Sequence, residues 1–263
     1  KVDRNSAGIG DTVNFEITIT VKDGAPTDYV LHDKLSGLTF DSDSLKVKVG
    51  TRELTANTDY TLVANPTDGD SFDVKFKDGK LKPNDVVVVT YSATVAANAT
   101  IAGAGNTNKA KLEYNGKHST EEETTTYVWK LNVHKYALNS TNNEVALSGA
   151  KFVLYRMDGD TKKYAKLTNN KIDGWVNDKG NATTLETSGT GDILIEGLNE
   201  GTYYLEETEA PAGYNKLTEP IEVEITATTS VTSGSETVQY KNSSETSYTP
   251  ATDATVKVLN SAG

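Results

Sequence analysis

Strict alternation of apolar and polar residues is the pattern that most restricts the folds open to this chain. It is clearest in residues 12–21. The apolar positions there are Val13, Phe15, Ile17, Ile19 and Val21, with polar residues between them. A period of two places one set on the core face of a strand and the other on its solvent face. Asp23, Gly24 and Pro26 then predict the turn that ends this strand.

Similar short segments recur along the whole chain, separated by clusters of Asn, Asp and Gly, and helical apolar spacing is hard to find. Residues 86–95 begin as an unbroken apolar run, which predicts a central strand covered on both faces. Many short strands with turn signals between them predict an all-β protein of Ig-like sandwich architecture.

The length of 263 residues suits one large or two ordinary domains, and we favour two. Acidic residues and threonines dominate residues 121–127, where the composition changes. This run predicts a boundary between a first domain, 1–127, and a second domain, 128–263. Because the connector is short, we expect a tandem with restricted bending.

Charge and cysteine content exclude several classes of function. The net charge is −11 and neither half offers a basic patch, which argues against nucleic acid as a partner. The absence of cysteine excludes disulfides, thiolate metal sites and cysteine nucleophiles. No apolar run is long enough to span a membrane. The abrupt start at Lys1 is what we expect of a trimmed or mature fragment.

Three polar residues of the second half continue alternating apolar rows, so each is predicted to face the core. They are Lys135, Glu207 and Asn260. The rows are Leu131 and Val133 before the lysine, Tyr203 and Leu205 before the glutamate, and Ala254, Val256 and Val258 before the asparagine. An inward amine, acid and amide on three strands are the groups that an intramolecular amide bond needs.

Burial favours the neutral, nucleophilic amine of Lys135 and the proton-bearing form of Glu207. The acid would donate to the carboxamide oxygen of Asn260 as the amine attacks, and would then pass a proton to the departing ammonia. The product would be a Lys–Asn isopeptide cross-link. The alternative is a neutralised or salt-bridged Lys135–Glu207 pair, with Asn260 as a strand-end turn former.

Residues 147–155 and 191–214 carry a resemblance to a known family. They resemble the collagen-adhesin B-type repeat domain of Gram-positive surface proteins, and residues 203–214 are similar to the E-box of sortase-assembled pilins. The resemblance covers most of residues 128–263. It implies that Lys135 and Asn260 are the bonded residues and that Glu207 is the catalytic acid.

The first half resembles the A-type repeat of the same family in residues 9–15, 33–40 and 106–114. Here the resemblance implies Asp33 as the catalyst and a cross-link between Lys1 and Asn108. Asn106 shares a face with Asn108 and is a rival for the bond. In the alternative, Asp33 caps a turn and Asn108 satisfies backbone groups.

Taken together, the resemblance implies a structural shaft subunit, the backbone pilin of a covalently polymerised Gram-positive pilus. It would be extracellular and anchored to the cell wall. The implied partners are neighbouring pilin subunits, a sortase, cell wall peptidoglycan and host extracellular matrix. The protein would not be an enzyme beyond its autocatalytic bond formation. Alternatives are the stalk domains of a cell-wall-anchored adhesin or minor pilin, and an accessory β-module of a secreted enzyme.

No cofactor or metal site is predicted. His32, His118 and His134 each lack an acid or a second histidine at ligand spacing. The pairs Asp41 with Asp43 and Asp68 with Asp70 lack the full spacing of an EF-hand loop, so they indicate solvated turns rather than calcium loops.

Overall fold

The computed structural model describes residues 1–22 and 27–263, and strands dominate the fold as the alternation predicts. The predicted turn at Asp23, Gly24 and Pro26 lies outside the described residues. The strands of the first half are β1 (Thr12–Thr20), β2 (Val30–Leu35), β3 (Leu38–Val49), β4 (Arg52–Glu53), β5 (Tyr60–Ala64), β6 (Phe72–Phe76), β7 (Val86–Val95), β8 (Asn106–Tyr114), β9 (Lys117–His118) and β10 (Glu122–Thr126).

The strands of the second half are β11 (Trp129–Leu138), β12 (Glu144–Ala146), β13 (Lys151–Asp158), β14 (Thr161–Thr168), β15 (Lys171–Val176), β16 (Leu185–Glu186), β17 (Asp192–Leu198), β18 (Gly201–Glu209), β19 (Ile221–Thr229), β20 (Gly234–Asn242), β21 (Thr249–Pro250) and β22 (Thr255–Leu259). A single 3-10 turn (Lys179–Asn181) interrupts the strands of the described chain.

Two sheets form the first half. One has the order β1-β7-β3-β4, and the other has the order β10-β8-β2-β6-β5 with β9 beside β8. Aromatic side chains from both sheets meet between them. The ring of Phe72 in β6 lies 4.0 Å from that of Phe40 in β3 and 4.9 Å from that of Tyr91 in β7, measured between centroids. This half is therefore a β-sandwich, as predicted.

β7 lies between β1 and β3, so its predicted central position is confirmed. Its burial alternates, however, with Val87, Val89 and Tyr91 buried and the residues between them partly exposed. The prediction that both faces are covered is wrong. The opposing sheet covers only one face of the sheet that contains β7.

One continuous sheet of twelve strands forms the second half, in the order β12-β11-β17-β15-β14-β13-β18-β19-β20-β21, with β16 beside β13 and β22 beside β11. The pairing of β11 with β22 is parallel, and Lys135 lies opposite Val258 in its register. The first long strand and the last strand of this half therefore lie side by side. This adjacency positions the candidate site.

The change of sheet falls between β10 and β11, where we place the boundary between 1–127 and 128–263. Within residues 1–22 and 27–263, no strand of the first half pairs with a strand of the second. Side chains nevertheless join the halves: the indole nitrogen of Trp129 donates to Ser6 Oγ (3.1 Å), and Tyr127 OH donates to the carbonyl of Ser230 (2.9 Å). One hydrophobic core runs through both halves.

None of the described residues forms a helix of the length and apolar character needed to cross a membrane.

Candidate cross-linking site

The structure places Lys135, Glu207 and Asn260 in one buried cluster of the second half. Lys135 lies in β11, Glu207 in β18, and Asn260 directly after β22. Their exposed fractions are 0%, 3% and 1%. The inward orientation that the alternation predicts is therefore present at all three positions. Burial of so many polar groups is costly unless they are paired or used in chemistry.

Glu207 contacts both other members of the cluster. Its Oε1 lies 3.4 Å from Lys135 Nζ, which is an ion-pair distance. Its Oε2 accepts hydrogen bonds from Asn260 Nδ2 (3.1 Å) and from the backbone N–H of Leu217 (2.8 Å). The acid thus stands between the amine and the amide. Because two donors already occupy Oε2, Oε1 is the oxygen that is free to carry a proton.

The orientation of the Asn260 amide is set by a backbone carbonyl. Its Nδ2 donates to the carbonyl oxygen of Asn215 (2.8 Å), and only an N–H can face that acceptor. This differs from the expectation that Glu207 contacts the amide oxygen of Asn260. In the structure the carboxylate accepts from the amide nitrogen, and the amide oxygen has no hydrogen-bond partner among the described residues.

Three atoms of the cluster have no hydrogen-bond partner among the described residues. They are Lys135 Nζ, Glu207 Oε1 and Asn260 Oδ1. The ring of Phe152, centred 5.6 Å from Lys135 Nζ, forms part of the surrounding apolar wall. An unsatisfied buried polar group costs about 1–3 kcal/mol. A reaction that consumes the free amine would relieve part of this cost.

Burial lowers the pKa of the Lys135 amine to about 8, and the neighbouring Glu207 carboxylate opposes the shift. The lowering follows from desolvation, which disfavours the charged ammonium. A far larger fraction of this amine is neutral near physiological pH than for a lysine in water, and the neutral form is the nucleophile.

A turn after β18 supplies the backbone groups that complete the site. Gly213 has a φ of 88°, a conformation that glycine adopts without steric cost. The segment that follows pairs with the chain end through the N–H of Asn215 and the carbonyl of Ser261 (2.9 Å). Sequence reasoning missed Asn215 and Leu217, because both act through backbone atoms and leave no side-chain signal.

In the first half, Asp33 and Asn108 are buried and joined by a third residue. Tyr91 donates its hydroxyl to Asp33 Oδ2 and accepts a hydrogen bond from Asn108 Nδ2 (2.6 Å). Burial raises the pKa of the Asp33 carboxyl to about 7, against the hydrogen bond from Tyr91. Sequence reasoning did not select Tyr91, although its inward position follows from the alternation in β7.

Lys1 does not join this pair, which corrects the prediction for the first half. Its side chain is 77% exposed and its Nζ lies 3.5 Å from Glu16 Oε1. The reason is the alternation of inward and outward residues along the strand. Val2 lies opposite the buried Phe15, so its neighbour Lys1 is on the outer face with Glu16.

Asn106 has a separate role from Asn108. Its Oδ1 accepts from the N–H of Thr100 (2.8 Å), and its Nδ2 donates to the carbonyls of Thr100 (3.0 Å) and Thr126 (3.2 Å). It therefore satisfies backbone groups. Asn108 is the amide that lies with Asp33.

His32 is not isolated, contrary to the prediction. Asp73 lies opposite it in the β2–β6 pairing, and the loop between β5 and β6 brings Asp68 and Asp70 to the same imidazole. The predicted turn is present as well, since Asp68 Oδ1 accepts from the N–H of Asp70 (3.0 Å). Sequence spacing could not reveal this cluster, because the loop lies 38 positions from the histidine.

Residues 129–237 match the model of a SpaA family described as a prealbumin-like fold domain. Among curated proteins, none matches the chain.

Solved structures resemble the whole chain. The group B streptococcus pilus 2b backbone protein is 24% identical over 100% of this chain and 97% of its own, with a TM-score of 0.75. The pilus backbone RrgB from Streptococcus pneumoniae is 18% identical over 98% and 94%, with a TM-score of 0.64. The Corynebacterium diphtheriae major pilin SpaA is 15% identical over 98% and 66%, with a TM-score of 0.59. At these identities the likeness establishes a shared Ig-like, all-β fold.

Proposed function

We propose that this chain is a shaft segment of a covalently polymerised pilus on the surface of a Gram-positive bacterium, and that its second half forms a Lys135–Asn260 isopeptide bond. The observation that carries the proposal is the buried contact of Glu207 with both the amine and the amide. The fold likeness to pilus backbone proteins over the whole chain adds support. For one of them, the major pilin of Corynebacterium diphtheriae, the structure points to a modular pilus assembly and stabilizing isopeptide bonds.

The reaction begins with a proton transfer inside the ion pair. The ammonium of Lys135 passes one proton to Oε1 of Glu207, which leaves a neutral amine beside a neutral acid. The amine then attacks Cγ of Asn260, forming the new C–N bond. The bond from Cγ to Nδ2 breaks, and the departing nitrogen leaves as ammonia.

Glu207 balances the protons. Nδ2 of Asn260 already donates to Oε2 of this carboxyl, so the acid lies beside the leaving group. It gives one proton to the departing nitrogen and takes the proton that the attacking nitrogen loses. Glu207 begins the reaction as the carboxylate of the ion pair and ends it with the one proton that the Lys135 ammonium gave up, so the number of protons is conserved. One amide and one ammonia are the only products.

A bond at this place joins the first and last strands of the second half. In the chain-entropy model, a cross-link over a segment of this size stabilises the folded state by roughly 4–5 kcal/mol. Under tension, force entering through β11 leaves through β22 along covalent bonds, so resistance no longer depends on the unfolding rate. A pilus shaft requires this property. Its partners under the proposal are neighbouring subunits, the sortase that joins them, and the cell wall.

Intact-mass spectrometry tests the bond directly. The wild-type mass is expected to fall below the sequence mass by one ammonia, and Glu207→Ala is expected to restore that ammonia. Glu206→Ala is the matched control, because Glu206 lies on the same strand with its carboxylate 2.8 Å from Lys179 Nζ on the other face. A wild-type mass equal to the sequence mass would refute the cross-link.

A further inference from the structure

Four carboxylates surround the imidazole of His32 in the first half. Nδ1 lies 2.7 Å from Asp70 Oδ2, 3.0 Å from Asp73 Oδ1 and 3.3 Å from Asp68 Oδ2. On the other side of the ring, Nε2 lies 2.7 Å from Glu113 Oε1. One potential ligand atom from each of His32, Asp68, Asp70 and Asp73 lies within 4.8 Å of all the others.

Hydrogen bonding does not account for this arrangement. Nδ1 carries at most one proton, yet three carboxylates converge on it. Asp70 is the nearest of them. In the part of the chain that the structure describes, Asp73 receives no other donor, although its side chain is only 4% exposed. A buried carboxylate that shares its one donor with two other carboxylates is costly.

Glu113 contacts His32 in the way that carboxylates contact the histidine ligands of many metal sites. By accepting from Nε2–H, its carboxylate favours the tautomer in which Nδ1 carries a lone pair, and that lone pair points at the three aspartates. A carboxylate behind a metal-binding histidine is a frequent outer contact that sets the ring's tautomer and raises its basicity. In that tautomer the lone pair and the three carboxylates repel one another unless a cation lies between them.

Nearby positive charge is too small to balance the cluster. The other groups that act on it are His118, whose ring centroid lies 6.2 Å from that of His32, and Lys111 beside Glu113. The cluster therefore keeps an excess of negative charge that a divalent cation would balance.

We propose that His32, Asp68, Asp70 and Asp73 form a binding site for one divalent transition-metal cation, with Zn²⁺ as the best match. One imidazole and three carboxylates suit a four-coordinate Zn²⁺ ion, whereas Ca²⁺ prefers a larger set of oxygens. The cation would tie the loop between β5 and β6 to the inner strands β2 and β6. It would thereby stiffen the edge of the first half, independently of the isopeptide bond.

Calorimetric titration of the full chain with ZnCl₂, after treatment with a chelator, tests the proposal. We expect one Zn²⁺ per chain and a higher melting temperature in its presence. Asp70→Asn, a change in a partly exposed loop residue, is expected to weaken binding at least ~10-fold. Asp41→Asn is the matched control, because Asp41 accepts from the N–H of Asp43 in the same way but lies within β3, away from His32. This variant should bind Zn²⁺ as tightly as the wild type.

A second readout locates the metal. In ¹⁵N spectra of the histidine side chains, Zn²⁺ is expected to shift Nδ1 of His32, and His134→Gln is expected to leave this shift unchanged although it removes the His134–Asp192 pair. The proposal is overturned if Zn²⁺ does not saturate the wild type, if Asp70→Asn and Asp73→Asn both bind it normally, if His134→Gln abolishes binding, or if Ca²⁺ binds more tightly than Zn²⁺.

Discussion

Asn260 donates its amide nitrogen to Glu207 at 3.1 Å, and the same nitrogen donates to the backbone carbonyl of Asn215 at 2.8 Å. In the proposed cross-linking reaction, the nitrogen that leaves is thus the one that contacts the acid. Under the proposal this geometry gives Glu207 one main task, the protonation of the departing amide nitrogen, and it determines how the reaction should respond to pH and to mutation.

The rate of bond formation is expected to fall at alkaline pH. The reactive state of the Lys135–Glu207 pair holds one proton, and that proton is lost as pH rises through about 8, the pKa of the amine. Chains recovered unfolded and unreacted are refolded at a series of pH values, and ammonia loss is followed by mass. We expect a drop of ~10-fold per pH unit above the pKa. A rate that rises to a plateau instead would mean that Glu207 supplies no proton.

If the bond cannot form, the titration of Lys135 should make the free energy of unfolding depend on pH. In Asn260→Ala the amine stays free, with a folded-state pKa of about 8 against an ordinary value of 10.5. Between these values the unfolded chain binds more protons, so stability rises with pH across this window, by an amount on the order of 3 kcal/mol. In wild type the proposed bond places the lysine nitrogen in an amide, so urea unfolding should not show this rise. If the free energy of unfolding depends on pH equally in wild type and Asn260→Ala, Lys135 is not in a bond with Asn260.

The same variant should be less stable than wild type at neutral pH. Loss of the cross-link is expected to cost roughly 4–5 kcal/mol, since the unfolded chain regains its freedom. Thermal and urea unfolding measure the difference. Asn215→Ala serves as a control, because Asn215 contributes its backbone carbonyl to the site. Its side chain is exposed and donates to the carbonyl of Ala262. It should keep the bond and most of the stability.

Tyr91→Phe should destabilise the first half. The hydroxyl joins Asp33 to Asn108, and its removal leaves both groups buried without their shared partner. We expect a loss of about 1–3 kcal/mol in urea unfolding. Tyr60→Phe is the comparison, because Tyr60 is also buried but makes no side-chain hydrogen bond within the described residues. Equal losses in both variants would show that the bridge contributes nothing specific.

Gly197→Ala should weaken the junction between the halves. Gly197 has a φ of 102°, its carbonyl accepts from the N–H of Ile9 (3.0 Å), and an added Cβ would lie 2.7 Å from Ile9 Cδ1. Backbone strain and overpacking together are expected to cost about 2–4 kcal/mol. Calorimetry should show a lower melting temperature. Gly189→Ala, where a Cβ would meet no atom within 4 Å, should change little.

Much of the second-half site could be predicted, because alternation along a strand determines which side chains face the core. This rule places Lys135, Glu207 and Asn260 correctly without any knowledge of pairing. It also predicts the sandwich of the first half. It gives no guidance in the unbroken apolar run of β7, where one face is only partly covered although its residues are apolar.

The rest depends on contacts between distant parts of the chain. Lys1 could not be assigned a face from so short a segment, and its position opposite Glu16 becomes evident only from its pairing with β1. The backbone groups of Asn215 and Leu217, and the convergence of Asp68 and Asp70 on His32, depend on which distant residues each turn lies beside, and the local sequence of a turn does not show this. Such groups are set by tertiary structure rather than by local sequence.

The parallel pairing of β11 with β22 has a mechanical consequence of its own. The chain enters β11 at Trp129 and leaves β22 at Leu259, and these two points lie at opposite ends of the ladder. A pull on the chain therefore acts in shear and strains all the rungs at once, whereas antiparallel neighbours pulled from the same end would peel apart rung by rung. Even without a covalent bond, the hydrogen bonds between the two strands would therefore resist the force together.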